Sequence, residues 1–220
     1  TGWGAGTRGA PTVDDGLVYA INANGDLLCV TADKGEKRWS VNLVEDFGGG
    51  IPGWGYSESP LVDGNKIVAT PGGGQGAIVA LDKKTGKTIW QSKDLKDGAQ
   101  YSSVIVATVQ GKRQYIQLFM KTLAGVDAET GDVLWTSSWP GRTAVIPTPI
   151  YVDGHVYISS GYGVGCKLVD ISDGKARDVW ENKVMKNHHG GVIRVGDHVY
   201  GFSDGPGLVC QDRKSTRLNS

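Results

Sequence analysis

A degenerate eleven-residue motif recurs along the chain, and every copy ends on a tryptophan. The clearest copy reads Ala-Leu-Asp-Lys-Lys-Thr-Gly-Lys-Thr-Ile-Trp at residues 80–90. A glycine stands four residues before the tryptophan in three copies, and the last copy has two extra residues at that point. Trp39, Trp90, Trp135 and Trp180 are separated by 51, 45 and 45 residues. Repeats of this length are typical of propellers, solenoids and other repeat arrays.

The second copy predicts four short strands. Residues 57–62 lead into residues 65–71 through Asp63-Gly64, a dipeptide that favours a tight hairpin. Residues 77–82 alternate as a half-buried strand, and Thr85-Gly86 supplies the next turn before a strand that contains Trp90. No apolar stripe with a period of 3.6 residues runs for more than a turn or two. The sequence therefore predicts an all-β chain of four-stranded antiparallel meanders.

A lone meander cannot bury both of its faces, so such sheets are expected to stack around an axis as the blades of a β-propeller. The large tryptophan side chains suit the gaps between blades. The repeat predicts four complete blades and most of a fifth, at residues 7–43, 56–95, 101–139, 144–185 and 188–211.

The last nine residues, 212–220, break the repeat where another turn and tryptophan strand are due. They match, codon for codon, the translation of the sequencing adapter GATCGGAAGAGCACACGTCTGAACTCC. We therefore expect residues 212–220 to be a non-native tail that does not belong to the repeat. A natural basic tail is the alternative.

Charge and cysteine content exclude several functions. Lys plus Arg and Asp plus Glu both total 23, so the chain lacks the basic excess that drives nucleic-acid binding. No apolar stretch is long enough for a transmembrane helix, and the first residues do not resemble a signal peptide. Cys29, Cys166 and Cys210 have neither metal-ligand nor redox-motif spacing, and buried apolar packing is expected for them. No metal site is predicted.

The tryptophan-ended motif resembles the AxDxxTGxxxW repeat of the pyrroloquinoline-quinone (PQQ) propellers. The second copy matches at all five positions, and the third has Gly125 in place of the alanine. The first copy is weaker, with Thr31 in place of the aspartate, and the fourth keeps Asp170 and Gly174. Residues that match the motif include Trp39, Ala80, Asp82, Thr85, Gly86, Trp90, Asp127, Thr130, Gly131, Trp135, Asp170, Gly174 and Trp180.

The resemblance covers residues 1–211 and is closest to secreted or periplasmic PQQ-like repeat proteins of environmental bacteria. Trp-Gly-Tyr-Ser-Glu-Ser-Pro at residues 54–60 and Lys-Asn-His-His-Gly-Gly at residues 186–191 strengthen it. It implies a periplasmic or secreted location. Because such proteins normally have seven or eight blades, it also implies that this chain is a fragment.

Candidate ligand-binding residues follow from aligning the segments that lead into the first strand of each blade. One column contains Arg8, Ser57, Tyr101, Ile146 and His188, and the next contains Gly9, Glu58, Ser102, Pro147 and His189. These residues are expected to ring the mouth of the central channel, where converging polar groups suggest a site. Alternatively, they form only hydrogen bonds and a salt bridge across a water-filled channel. The predicted set is Arg8, Trp54, Tyr56, Glu58, Tyr101, His188 and His189.

Two details of this set remain open. The adjacent His188 and His189 are expected to point to opposite faces of a strand, which disfavours a shared metal ion. Residues 44–55 form a long loop over the same mouth, and Trp54 with Tyr56 would suit a ring-shaped or sugar ligand. Packing of Phe47 and Trp54 for the stability of the loop itself is the alternative.

Two functional classes are compatible with the repeat. The favoured one is a non-catalytic binding or scaffold module of the bacterial cell envelope, with a protein or carbohydrate partner and no cofactor. The alternative is a quinoprotein alcohol or sugar dehydrogenase that uses PQQ and calcium. There the resemblance would give Glu58 the role of metal ligand or base, Arg8 a contact with the quinone and Trp54 a stacking role. The adjacent cysteine pair of many such dehydrogenases is missing.

Overall fold

A computed structural model describes residues 7–214 and 218–219, and these residues form five four-stranded antiparallel sheets. Within these ranges no helix has the length and apolar character needed to cross a membrane. The all-β prediction is confirmed. In chain order the strands are β1 Thr12–Asp14, β2 Leu17–Ile21, β3 Asp26–Thr31, β4 Lys37–Asn42, β5 Leu61–Asp63, β6 Lys66–Ala69, β7 Val79–Asp82, β8 Thr88–Gln91, β9 Ile105–Val109, β10 Lys112–Leu118, β11 Thr122–Asp127, β12 Val133–Ser138, β13 Ile150–Val152, β14 His155–Ser160, β15 Gly165–Asp170, β16 Arg177–Asn182, β17 Val192–Val195, β18 His198–Ser203, β19 Gly207–Asp212 and β20 Leu218–Asn219.

Every sheet is a simple meander in which each strand pairs with the next strand along the chain. The described sheets stack as propeller blades without closing a ring. The short strand β20 lies inside the predicted non-native tail, and residues 215–217 and 220 of that tail lie outside the described residues. The adapter origin of the tail and the predicted blade limits stay predictions.

Four hydrophobic cores lie between successive sheets and hold the blades face to face. In the first core Tyr19 and Leu27 of one sheet pack against Ile67 and Leu81 of the next. Corresponding cores join the second and third, third and fourth, and fourth and fifth sheets. Burial of apolar surface between sheets therefore stabilises the stack.

The repeated motif builds the turn between the third and fourth strands of each blade. In the second sheet the Asp82 carboxylate accepts hydrogen bonds from Thr85 N–H at 2.9 Å and from the Thr85 hydroxyl at 2.8 Å. Asp127 accepts from the Glu129 and Thr130 N–H groups, while the Thr130 hydroxyl donates to Asp132. The glycine then adopts a left-handed φ, 72° at Gly86, which an L side chain rarely tolerates. The motif is thus a turn signature.

Two of the motif tryptophans pack on the glycine of the following blade. A Cβ added at Gly86 would lie 2.8 Å from Trp39 Cδ2, and one at Gly131 would lie 2.5 Å from Trp90 Cε3. The Trp39 indole N–H also donates to the Lys83 carbonyl at 3.0 Å in the next sheet. These tryptophans fill the gap between blades, as predicted.

Trp135 takes a different position. Its indole N–H donates to Gln114 Oε1 at 2.6 Å, inside its own sheet. A Cβ at Gly125 would lie 2.3 Å from Trp135 Cε2, so the indole lies directly on the backbone of β11. The replacement of the motif alanine by Gly125 creates the space for this arrangement. Gly174, in the next blade, correspondingly has no atom within 4 Å of an added Cβ.

Candidate functional site

The five aligned residues of the first predicted column, one for each sheet, lie together at one cavity. They each stand four residues before the first strand of their sheet. All five line a cavity of about 540 Å³, within the usual size range of ligand pockets. Four other residues complete the wall, two of which, Trp54 and His189, were predicted. The lining residues are Arg8, Trp54, Ser57, Tyr101, Ala144, Ile146, Tyr162, His188 and His189.

Hydrogen bonds between neighbouring blades fix the segments that carry these side chains. In the first three sheets, the residue two positions before the first strand donates its backbone N–H to a hydroxyl of the following blade: Ala10 to Ser59 at 3.1 Å, Ser59 to Ser103 at 2.9 Å and Ser103 to Thr148 at 3.3 Å. The corresponding residue of the fifth sheet, Gly190, has no hydroxyl. The mouth is therefore a fixed assembly of several blades.

One wall of the cavity is formed by Trp54 and Tyr101. The Trp54 N–H donates to the Tyr101 hydroxyl at 3.2 Å, and their rings meet edge to face with centroids 5.8 Å apart. The Arg8 guanidinium donates to the Trp54 carbonyl. Burial raises the pKa of the Tyr101 hydroxyl, so this group stays protonated and can donate a hydrogen bond.

Phe47 and Trp54, in the loop of residues 44–55, lie in different environments. Phe47 is buried in the core between the first two sheets, and Gln91 donates to its carbonyl at 2.9 Å. Trp54 is half-buried at the cavity. Phe47 therefore packs for the stability of the loop itself, which was the alternative for both residues. Trp54 instead lies at the cavity, where a ligand-binding residue is expected.

The opposite wall is a group of three rings. Tyr162 and His188 have centroids 4.1 Å apart, and His188 stacks on His189 at 4.1 Å with an interplanar angle of 15°. The expectation that the two imidazoles point to opposite faces is wrong, because residues 188–189 precede β17 and bend before a glycine pair. His188 sits so close to Gly161 that an added Cβ there would lie 2.8 Å from His188 Cβ.

Sequence reasoning missed Tyr162. It occupies the hairpin between β14 and β15 with a positive φ of 57°. The available signal was the run Gly-Tyr-Gly-Val-Gly at residues 161–165, which places one aromatic residue in a glycine-rich turn.

Two predicted mouth residues lie elsewhere. Tyr56 is 1% exposed, belongs to the core between the first two sheets and donates its hydroxyl proton to the Pro71 carbonyl at 2.7 Å. Its ring lies against Gly25, where an added Cβ would be 2.8 Å away. The loop turns this ring inward because the interior offers both an apolar surface and an acceptor.

Glu58 is also buried, with 2% exposure, and does not line the cavity. One carboxylate oxygen accepts from the Thr70 N–H, while Oε2 has no hydrogen-bond partner among the described residues. Burial raises the pKa of Glu58 to about 7. Gln117 extends this polar cluster by donating to Thr70 Oγ1 at 2.8 Å and to the Ser102 carbonyl at 3.0 Å.

The described residues do not fit the calcium and PQQ site of the dehydrogenase alternative. Arg8 and Trp54 face the cavity, but its lining includes no carboxylate side chain, and calcium prefers carboxylate and carbonyl oxygens. No group of three or more His, Cys, Asp or Glu in the described part of the chain could hold a metal ion. Cys29 and Cys166 are buried in cores between sheets, as expected, whereas Cys210 is half-buried and is not a member of the cores described above.

Comparison with known proteins places the chain in a family. The family model described as outer membrane protein assembly factor BamB matches residues 1–218. BamB from Burkholderia pseudomallei (strain K96243) is 26% identical over 195 residues, which cover 83% of this chain and 46% of that protein. BamB from Francisella salina is 29% identical over 162 residues, which cover 70% of this chain and 28% of that protein. The chain thus spans less than half the length of these relatives.

Solved structures show the same fold. BamB from Moraxella catarrhalis superposes with a TM-score of 0.71 at 20% identity, over 96% of this chain and 60% of that one. The quinohemoprotein alcohol dehydrogenase from Comamonas testosteroni gives a TM-score of 0.68 at 14% identity, over 98% of this chain and 42% of that one. Both identities are low, so these likenesses speak to the propeller fold alone.

Proposed function

The chain belongs to the family of the outer membrane protein assembly factor BamB, and from that membership we propose that it is a non-catalytic binding and scaffold module of the bacterial cell envelope. The family match over residues 1–218 is the observation that carries this proposal. The relatives are named for the assembly of outer membrane proteins, so the proposed partners are proteins of that process. A periplasmic location and a whole protein of seven or eight blades belong to the same proposal.

The cavity at the mouth is the proposed contact site. Its wall combines aromatic rings, a guanidinium group and an apolar strip formed by Ala144 and Ile146. Aromatic residues and arginine are enriched where proteins bind each other. The dehydrogenase alternative receives no comparable support, since Glu58 is buried in the interior and the described residues of the cavity wall include no carboxylate side chain. A carbohydrate partner has only the ring surfaces in its favour.

Site-specific crosslinking tests the binding function. The chain is exported to the periplasm of a Gram-negative host with a photoreactive amino acid at His189, an exposed residue of the cavity wall. A matched control carries the same group at Ile89, which is 42% exposed on the outermost strand of the second sheet. We expect adducts with outer membrane assembly proteins from position 189 and only background from position 89. Equal adducts from both positions would contradict the proposal.

A second measurement addresses catalysis directly. The purified chain is titrated with PQQ and calcium, and dye reduction is followed in the presence of alcohols and aldoses. We expect neither a shift of the quinone absorbance nor dye reduction above the protein-free rate. Saturable quinone binding with substrate-dependent dye reduction would overturn the non-catalytic assignment in favour of the dehydrogenase.

A further inference from the structure

The mouth cavity is lined by two groups of aromatic rings. Trp54 and Tyr101 meet edge to face, with centroids 5.8 Å apart. In the second group, Tyr162, His188 and His189 follow one another with successive centroids 4.1 Å apart. Burial raises the pKa of the Tyr101 hydroxyl, and the nearby Tyr162 raises it further. Because both groups line one cavity and lie near each other, a single ligand can contact both.

His189 has one ring face without an aromatic neighbour among the described residues. One face stacks on His188 at an interplanar angle of 15°, and this is its only contact with another aromatic ring in that part of the chain. His189 is also exposed and lines the cavity. A further ring that enters the cavity can therefore stack on the second face of this imidazole.

Charge at the mouth selects neither an acidic nor a basic ligand. The Arg8 guanidinium donates to the Trp54 carbonyl and takes part in a further interaction. The Asp204 carboxylate lies 3.8 Å from His188 Nδ1. Groups of both signs are thus already engaged at the mouth, so an uncharged ligand is expected.

The rest of the wall favours an aromatic ring over a sugar or an aliphatic side chain. Ala144 and Ile146 add apolar surface to the rings. The described lining contains no Asp, Glu, Asn or Gln, whose side-chain oxygens can accept hydrogen bonds from the hydroxyls of a sugar. Aromatic pairs are favoured beyond the apolar area that they bury, so a ring gains more here than an aliphatic side chain of similar area.

The placement of Tyr162 suggests that its ring is required at this position. Tyr162-Gly163 forms a turn with both φ angles positive, 57° and 74°. Asp15-Gly16, Gln110-Gly111 and Asp153-Gly154 have the same pattern with a polar first residue. An aromatic residue is unfavourable in this conformation, and strain of this kind concentrates at functional sites. The turn holds the Tyr162 ring against His188 at the cavity wall.

We propose that the mouth cavity receives one uncharged aromatic side chain of a partner polypeptide, which contacts Trp54 and stacks on His189. The inference rests on the proposed protein-binding function and names the chemistry of the partner. Aromatic side chains placed in pockets of this kind commonly dominate the affinity of protein interfaces.

Histidine NMR provides the test, because the chain has four histidines and two of them line the cavity. The full chain is titrated with the capped, uncharged peptide Gly-Ser-Trp-Ser-Gly and with matched peptides that carry Leu or Glu in place of Trp. The Trp peptide should shift the imidazole signals of His188 and His189 by its ring current and leave those of His155 and His198 unchanged. It should bind about tenfold more tightly than the Leu peptide, since two aromatic contacts of ordinary strength together give that factor.

A conservative variant locates the contact. Tyr162→Asn removes the ring and inserts a residue that tolerates the left-handed conformation. It is expected to weaken binding of the Trp peptide about tenfold, the size of a lost aromatic contact with its buried area. Unchanged signals of His155 and His198 in the free variant show that it is folded. Gln110→Asn, in a turn with a φ of 50° outside the cavity lining, is the matched control and should leave binding unchanged.

Equal affinity for the Trp and Leu peptides would overturn the inference, as would tighter binding of the Glu peptide or displacement of the Trp peptide by the neutral oligosaccharide maltoheptaose. A shift at His198 in place of His188 and His189 would move the peptide to another surface. Unchanged binding by Tyr162→Asn would exclude its ring from the contact. Crosslinking from position 189 reports on protein binding whatever side chain enters the cavity, so failure of the aromatic inference is distinguishable from failure of the protein-binding function.

Discussion

The carboxyl group of Glu58 is buried in an environment that disfavours its ionised form. It is 2% exposed, and only one of its oxygens has a hydrogen-bond partner among the described residues. Burial raises its pKa from 4.5 to about 7. Because the unfolded chain releases this proton at lower pH than the folded protein, Glu58 favours folding below its unfolded pKa. That contribution is lost as the pH rises through the folded pKa.

The substitution Glu58→Gln tests this linkage. Glutamine keeps the shape and an oxygen for the Thr70 N–H but cannot ionise. The free energy of unfolding of the wild type, relative to Glu58→Gln, should fall by on the order of 3 kcal/mol as the pH rises from about 4.5 to 7. Urea unfolding across this pH range measures the difference. A constant difference would show that Glu58 ionises normally in the folded protein.

Gly125 is the second position where one residue decides the local structure. The substitution Gly125→Ala would place a Cβ 2.3 Å from Trp135 Cε2, so the indole must leave β11. We expect the free energy of unfolding to fall by about 1–3 kcal/mol, as for other overpacked sites. Gly98→Ala is the control, because Gly98 is exposed with no atom within 4 Å of an added Cβ. Equal stability of the two variants in urea would contradict this explanation.

At the residue scale the sequence predicted position better than orientation. Counting back a constant number of residues from each first strand identifies Arg8, Tyr101 and His188, because the repeat fixes the backbone path. The same count cannot predict that Tyr56 and Glu58 turn inward. That orientation depends on hydrogen-bond partners that only the folded chain brings near, the Pro71 carbonyl for Tyr56 and the Thr70 N–H for Glu58.

The turn between the third and fourth strands is the element that joins neighbouring blades. Its glycine both adopts a left-handed φ and receives the tryptophan of the preceding blade at Gly86 and Gly131. The strands themselves were predictable from apolar alternation and turn dipeptides, because those patterns reflect local sterics. The altered position of Trp135 was not predictable from these patterns, because it depends on the space above Gly125 and on the Gln114 side-chain oxygen that accepts its indole N–H.

Two glycines of this turn allow its roles to be separated. Gly131 has a φ of 78° beneath Trp90, whereas Gly174 has a φ of 82° with no atom within 4 Å of an added Cβ. Gly174→Ala should lower the free energy of unfolding by roughly 1–2 kcal/mol, because only the left-handed conformation becomes unfavourable. Gly131→Ala should cost a further 1–3 kcal/mol or so, because it also displaces Trp90. Urea denaturation of both variants measures this difference, and equal losses would mean that the tryptophan contact contributes nothing.

For the whole molecule, the stacking of sheets face to face explains which apolar residues are buried. In each of the first four sheets, one residue of the second strand is paired in register with the third-strand residue that lies beside the motif tryptophan. These second-strand residues are all 0% exposed: Tyr19, Val68, Ile116 and Tyr157. Each faces the core shared with the following sheet. The corresponding residue of the fifth sheet, Tyr200, is 38% exposed.

The face around Tyr200 carries further exposed apolar residues. Phe202 and Leu208, which are partners in the strand register, are 62% and 79% exposed, and Ile193 lies directly opposite Tyr200. Contiguous apolar surfaces of this kind mark interaction sites or sites of self-association. The described chain alone should therefore associate through this face at sufficient concentration.

Sedimentation velocity over a concentration series measures that association. The double substitution Phe202→Ser and Leu208→Ser should raise the dissociation constant at least about tenfold, since burial of each large apolar side chain contributes roughly 1.5–3 kcal/mol. Val179→Ser is the control, because Val179 is similarly exposed, at 50%, but lies on the last strand of the fourth sheet. A wild-type chain that sediments as a monomer throughout would contradict the prediction. Equal weakening by the control would move the contact to another surface.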